Sequence, residues 1–370
     1  MDASSSRFFS DLCDKLRRND PDTTQIMDTM EPLSLLSVGE EESSNLLGAA
    51  LHGNSSVTDV RLCFNNSDGR SANSHEVLLN AIRTCRNLKH VKFSGPIQSW
   101  ELNFFVLGSL ACNQELEFVS LYNMALGDIS LSRFLLGSGR IMSTFHLKFC
   151  RLVVITDSEL QKVVTAFRDH QYLLSFHVDI KYGMFEALGG AIVSHPILRE
   201  LIIDATTFDN VRENNYHHFH MPSVFALLCS IVESPHSALQ HLQLENFEFT
   251  IEEFPFAGLV QSILVNQTLT KLTFGGWCTF DISPVQKLVS IYQSSSSNIQ
   301  SLGFRQSDTY MSLLPLIFGH PMILGLKDLE VSGGVSDSYT GLAPCTQGEG
   351  TYLGFVRCDS VPERSLVECL

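Results

Sequence analysis

The sequence predicts an α/β fold: a horseshoe-like solenoid with short parallel strands on its concave face and helices on its convex face. Three observations carry this expectation. The apolar spacing L-x-x-L-x-L returns ten times along the chain, at intervals averaging about 30 residues. A stretch with apolar residues at helical spacing precedes the copies. Between the two lie Gly, Asn, Ser, His or Pro, which end helices and form tight turns.

The chain opens with a divergent stretch, residues 1–50. Phe8, Phe9, Leu12 and Leu16 fall on one helical face, a turn follows at Asn19-Asp20-Pro21, and a short strand is expected around Ile26. This is the composition of a cap that shields the first strand's edge. The acidic run Glu40–Glu42 suits a helix start, where negative charge is favoured.

Residues 51–333 hold the repeats. The triplets are Val57/Val60/Leu62, Leu88/Val91/Phe93, Leu116/Val119/Leu121, Met142/Phe145/Leu147, Leu173/Phe176/Val178, Leu198/Leu201/Ile203, Leu239/Leu242/Leu244, Leu269/Leu272/Phe274, Ile299/Leu302/Phe304 and Leu326/Leu329/Val331. One unit cannot bury its apolar face alone. Stacked units form a parallel sheet and a helix layer with a continuous core between them.

The longest interval contains an insertion, residues 206–222, with His217, His218 and His220. One short His tract without further converging ligands reads as an exposed polar loop rather than a metal site. Residues 334–370 are rich in Gly, Ser and Thr, carry no repeat flank, and are expected to form an irregular tail.

The stretches "LVQSILVNQTLTKLTF" and "LLGAALHGNSSVTDVRLCFNN" resemble leucine-rich repeats of the ribonuclease-inhibitor-like class, as found in NOD-like receptors and Ran GTPase-activating proteins. The resemblance covers about residues 40–333. It implies the solenoid fold and says little about function. The chain departs from that pattern at position nine, counted from the first apolar residue of each triplet. The usual Asn or Cys stands there only as Asn65 and Cys150, while Met124 and Phe247 are among the replacements. Looser turns after the strands are therefore expected.

Composition excludes several functions. Net charge is −15, which repels phosphate backbones and anionic membranes. The N-terminus has no secretory pattern and no apolar run is long enough to span a bilayer, so a cytoplasmic, monomeric protein is expected. Ten scattered cysteines form no C-x-x-C pair, and no phosphate-binding loop or nucleophile elbow occurs. No catalytic residue, cofactor or metal is expected. Three N-x-[ST] triplets start at Asn54, Asn65 and Asn266. Asn54 and Asn266 occupy the same slot after a helix, where a left-handed Asn ends the helix without any sugar.

If positions one, four and six face the core, positions three, five and seven face the concave surface. Early units then present Arg61, His90, Lys92 and Lys148, and middle units present Asp179, Glu200, Asp204 and Glu245. The expected function is non-catalytic recognition of a partner protein on this charge-split face. Its contact centre is placed at Tyr122, His146, Lys148, His177, Asp179, Asp204 and Glu245. A Ser120/His146/His177/Asp179 hydrolase reading lacks an oxyanion hole. Two alternatives remain: a GTPase-activating protein of the Ran type, although the acidic C-terminal stretch of that family is missing, and a substrate receptor of a ubiquitin ligase.

Overall fold

A computed structural model describes residues 3–26, 36–38, 41–64, 75–95, 100–137, 141–153, 156–180, 183–205, 221–235, 237–249, 254–275, 279–280, 298–305, 328–332 and 352–354. The chain divides into two units, Met1–Ile197 and Leu198–Leu370. The His217–His220 tract lies outside the described residues.

The first unit alternates helices and strands. Its elements are α1 (Ala3–Arg17), β1 (Gln25–Ile26), β2 (Leu36–Val38), α2 (Glu41–Leu51), β3 (Asp59–Phe64), α3 (Glu76–Thr84), β4 (His90–Ser94) and α4 (Trp100–Leu110). They continue with β5 (Phe118–Tyr122), β6 (Ala125–Gly127), α5 (Asp128–Gly137), β7 (Thr144–Lys148), β8 (Arg151–Val153), α6 (Asp157–Arg168), β9 (Ser175–Asp179) and α7 (Met184–Val193). The main sheet runs β1-β3-β4-β5-β7-β9, all parallel, and consecutive helices pack on one another.

The second unit contains β10 (Glu200–Asp204), α8 (Met221–Glu233), β11 (His241–Glu245), β12 (Glu248–Phe249), α9 (Phe254–Val265), β13 (Lys271–Gly275), β14 (Thr279–Phe280), β15 (Ser301–Arg305), β16 (Asp328–Ser332) and β17 (Tyr352–Gly354). Its parallel order is β10-β11-β13-β15-β16-β17. The last strand lies inside the segment expected to be irregular: Leu353 pairs with Leu329 and so adds a rung. A three-residue strand without a recognisable flank leaves too short a pattern to read.

The strand registers align the triplets. Val60, Val91, Val119, Phe145 and Phe176 form one row across the first unit. Leu201, Leu242, Leu272, Leu302 and Leu329 form the matching row across the second. From Val57 to Phe274, every triplet residue is buried. A parallel sheet with helices on one side puts alternate residues inward, so a one-residue slip would expose the whole row. Both units are therefore leucine-rich-repeat solenoid.

At the start of the sheet, Phe9, Leu12, Cys13 and Leu16 of α1 are buried. Ile26 pairs with Val60, while Leu36 pairs with Leu62. Two short strands thus cover one edge of β3, which would otherwise offer unpaired backbone groups.

The turns after the strands are more ordered than the missing position-nine Asn suggests. Residue eight takes a left-handed backbone at Asn123, Phe149 and Asn246, with φ of 54°, 53° and 60°. There the Asn123 and Asn246 N–H groups donate to the carbonyls of Lys148 and Gly275 on the next strand, at 2.9 and 3.0 Å. Residue nine then turns into the core, and Met124, Cys150 and Phe247 are fully buried. Short second ladders follow, β6 with β8 and β12 with β14. Apolar burial replaces the polar ladder.

Among the described residues, a partial polar ladder does exist, three residues before several of the triplets. The Asn54 amide donates to Leu16 O at 3.0 Å, and its Oδ1 accepts from Ser56 N and Val57 N. Asn113 donates to Cys85 O at 2.8 Å. Asn266 donates to Val232 O and accepts from Thr268 N and Leu269 N. Each side chain thus ties the end of the previous unit's helix to the start of its own strand. Neither Asn54 nor Asn266 is left-handed; Gly53, with φ of 72°, takes that conformation instead. Buried amides committed on both sides leave no acceptor nitrogen for a sugar. His170 and His195 fill the same slot in their repeats and are also buried.

Candidate functional site

In the first unit, the open strand face is built from positions three, five and seven of β3, β4, β5, β7 and β9. On β3, Arg61 and Asp59 stand two residues apart and therefore on the same side. Arg61 Nε and Nη2 grip the two carboxylate oxygens of Asp59 at 3.1 and 2.9 Å, which raises the guanidinium pKa further. Lys92 sits directly beside Arg61 in the register. Partial burial, together with the positive charges of Arg61 and Lys148, lowers its amine pKa.

A row of rings crosses this face. His90 meets Phe118 edge-on with centroids 6.3 Å apart, Phe118 meets His146 at 5.0 Å, and His146 meets His177 at 5.1 Å. Tyr122 stands edge-on to Phe149 at 5.1 Å. Burial, then Lys148 and His146, hold the His177 imidazole well below its usual pKa. A neutral imidazole packed among rings acts as part of the platform rather than as a charge.

The expected contact residues separate into two groups. Tyr122, His146, Lys148 and Glu245 are half-buried and reach the surface. His177, Asp179 and Asp204 are 5%, 0% and 3% exposed, so they lie within the wall of the face rather than on it. The alternation rule places a side chain on a face but does not say how deeply its neighbours cover it.

In the second unit, Asp204 Oδ1 accepts from Asn246 Nδ2 at 2.6 Å, and Glu245 Oε1 accepts from Gln243 Nε2 at 2.6 Å. Gly275 faces Glu245: a Cβ there would stand 3.3 Å from the Glu245 Cγ, so the glycine makes room for the carboxylate. His241 links two strands, with Nδ1 2.7 Å from Glu200 Oε1 and Nε2 3.0 Å from Thr273 Oγ1. The order Thr–His–Glu is that of a nucleophile, a base and its orienting carboxylate. Thr273 is 0% exposed, however, and a substrate carbonyl cannot approach its hydroxyl. The string pins three strands together.

Sequence reasoning missed two features. Phe118 occupies a position expected to be polar, and an aromatic residue in that slot was the available signal. On the helix side, Leu46, Val77 and Phe105 are 42%, 44% and 41% exposed on α2, α3 and α4. All three lie the same number of residues ahead of their triplets, so aligning the flanks by triplet reveals them.

The register and burial together define a leucine-rich-repeat fold with a polar, ring-lined strand face. No protein-family model and no curated protein matches the sequence. Among solved structures, the chain is similar to one in a yeast complex of Rad7 and Elc1, with a TM-score of 0.40, 13% identity and coverage of 94% of both chains. It is also similar to a TLR13–ssRNA13 complex, with a TM-score of 0.39 and 12% identity, over 84% of this chain and 44% of that one. At these values neither likeness carries an argument, and the assignment rests on the repeat itself. No helix among the described residues is long and apolar enough to cross a membrane.

Proposed function

We propose that this protein is a non-catalytic scaffold of the ribonuclease-inhibitor-like class that holds a partner protein on its strand face. The observation that carries this reading is the half-buried set Tyr122, His146 and Lys148 on adjacent strands β5 and β7. Tyr122 and His146 are fixed by ring packing, Lys148 stands beside Tyr122 in the register, and all three offer polar tips. Rigid aromatic and cationic groups of this kind bind with little loss of side-chain entropy, which is how interface hot spots arise. Glu245, on the strand face of the second unit, is half-buried as well. His177, Asp179 and Asp204 support the face from within and are not contacts.

The test is affinity capture with mass spectrometry, using the full chain and a variant carrying Tyr122→Ser, His146→Ser and Lys148→Ser together. A stoichiometric partner recovered by wild type should fall about tenfold or more with the variant, the loss expected for one strong hot spot. Equal recovery by a variant with an unchanged unfolding curve would remove the strand face from the reading.

A further inference from the structure

Lys92 stands at position five of β4, half-buried on the first unit's strand face, with Arg61 beside it on β3 and Ser120 beside it on β5. The titratable groups around it on that face are Asp59 and Arg61 of β3, His90 of β4, and His146 and Lys148 of β7. Asp59 is the acid of this set, and both its oxygens are gripped by Arg61, at 3.1 and 2.9 Å. Among the described residues, Lys92 itself makes no hydrogen bond or ion pair. Burial first, then the charges of Arg61 and Lys148, lowers its amine pKa. Lys89, three residues earlier, is the opposite case. It is exposed, Glu117 Oε1 holds its ammonium at 2.8 Å, and that bond raises its pKa. A lysine that is partly desolvated beside another cation keeps more of its amine neutral, and the neutral amine is the nucleophile.

We infer that Lys92 is a modification site, its amine taking small acyl groups from acyl thioesters. The neutral Nζ attacks the thioester carbon. A C–N bond forms, the C–S bond breaks, and the proton shed by nitrogen passes to the departing sulfur. The products are an amide and a thiol; no electron is transferred and no further reactant enters. The half-buried setting suits a small group such as acetyl, and Phe118, diagonal to Lys92 on the neighbouring β5, sets an apolar ring on the same face. The acylated side chain is neutral. Modification therefore takes one positive charge off the first unit's strand face. What this does to a bound partner rests on the strand-face reading above; the reactivity of Lys92 does not.

The experiment is timed acetylation of the full chain by S-acetyl-N-acetylcysteamine, an uncharged thioester, at neutral pH. The protein is then unfolded, the remaining amines are capped with deuterated acetic anhydride, and mass spectrometry reads the light-to-heavy ratio at each lysine. Lys92 should react about threefold or more faster than the exposed Lys162 of α6, and Lys89 should be the slowest of the three. In urea the three rates should converge, because the unfolded chain removes the surroundings that set them apart. Arg61→Gln deletes the neighbouring charge and frees Asp59 to pair with Lys92. That variant should slow Lys92 about threefold or more and leave Lys162 unchanged. A folded-state rate at Lys92 no greater than that at Lys162 overturns the inference. So does a lead for Lys92 that persists in urea, or an unslowed Lys92 in Arg61→Gln. If Arg61→Gln does not fold, the wild-type comparison in buffer and in urea decides alone. None of these results touches partner capture, so the strand-face reading stands or falls separately.

Discussion

The Asn266 side chain closes a turn from both ends: its amide donates to the last turn of α8 and its oxygen accepts from Thr268 N and Leu269 N, in the turn that leads into β13. Replacing it with Ala leaves those buried backbone groups unpaired, which costs about 1–3 kcal/mol. Urea unfolding should show this loss for Asn266→Ala and almost none for the exposed Gln267→Ala. The same slot holds His195, whose pKa is pushed down to about 4 by burial and by His170. His75 and His177 are shifted the same way, also chiefly by burial. A lowered pKa means the fold holds the neutral form while the unfolded chain takes up a proton near pH 6.5. Stability is therefore full above about pH 6.5 and declines as pH falls toward about 4. For His195 the loss is on the order of 2–3 kcal/mol. His195→Asn, which puts the ladder's commonest residue into the slot, should flatten that slope in unfolding curves measured between these pH values. The sequence showed that Asn54 and Asn266 share a slot. His170 and His195 sit in the same slot, three residues ahead of Leu173 and Leu198, but the change of residue type hides the shared position.

Close packing of the units depends on Gly48 in α2. A Cβ at that position would lie 2.7 Å from the Leu78 backbone nitrogen of α3, a separation real side chains do not adopt. Alanine is the better helix former by about 1 kcal/mol, and at an open site that would stabilise the helix. Here the clash with backbone wins, and Gly48→Ala should destabilise by about 1–3 kcal/mol in chemical unfolding. Gly190 of α7, where a Cβ meets nothing, is the control: its Ala variant should be neutral or more stable. At this scale strands and helices were legible, because apolar spacing repeats in register and every shifted alternative exposes a row of Leu, Val and Phe. The ordered turns were not. Their left-handed residue is Phe149 in one copy and Asn in others, so no residue type marks the position.

The molecule as a whole is acidic, yet the first unit's open face is lined with cations and rings. Alternation along the strands puts Tyr122, His146 and Lys148 on that face, and all three are half-buried. The same rule points to contacts at His177, Asp179 and Asp204, which are buried, a depth that neighbouring strands set and that alternation does not reveal. A partner that reads this face should bind less tightly as salt rises, whereas one seated on the apolar helix stripe of Leu46, Val77 and Phe105 should not. The most direct measurement is site-specific photo-crosslinking in cells that make the full chain, with a benzophenone amino acid at Tyr122 or at Leu136. Leu136 lies on α5 and is 67% exposed. The account predicts a crosslinked partner of discrete mass from Tyr122, reduced by Lys148→Glu, and none from Leu136. A partner trapped at Leu136 and absent at Tyr122 would contradict it.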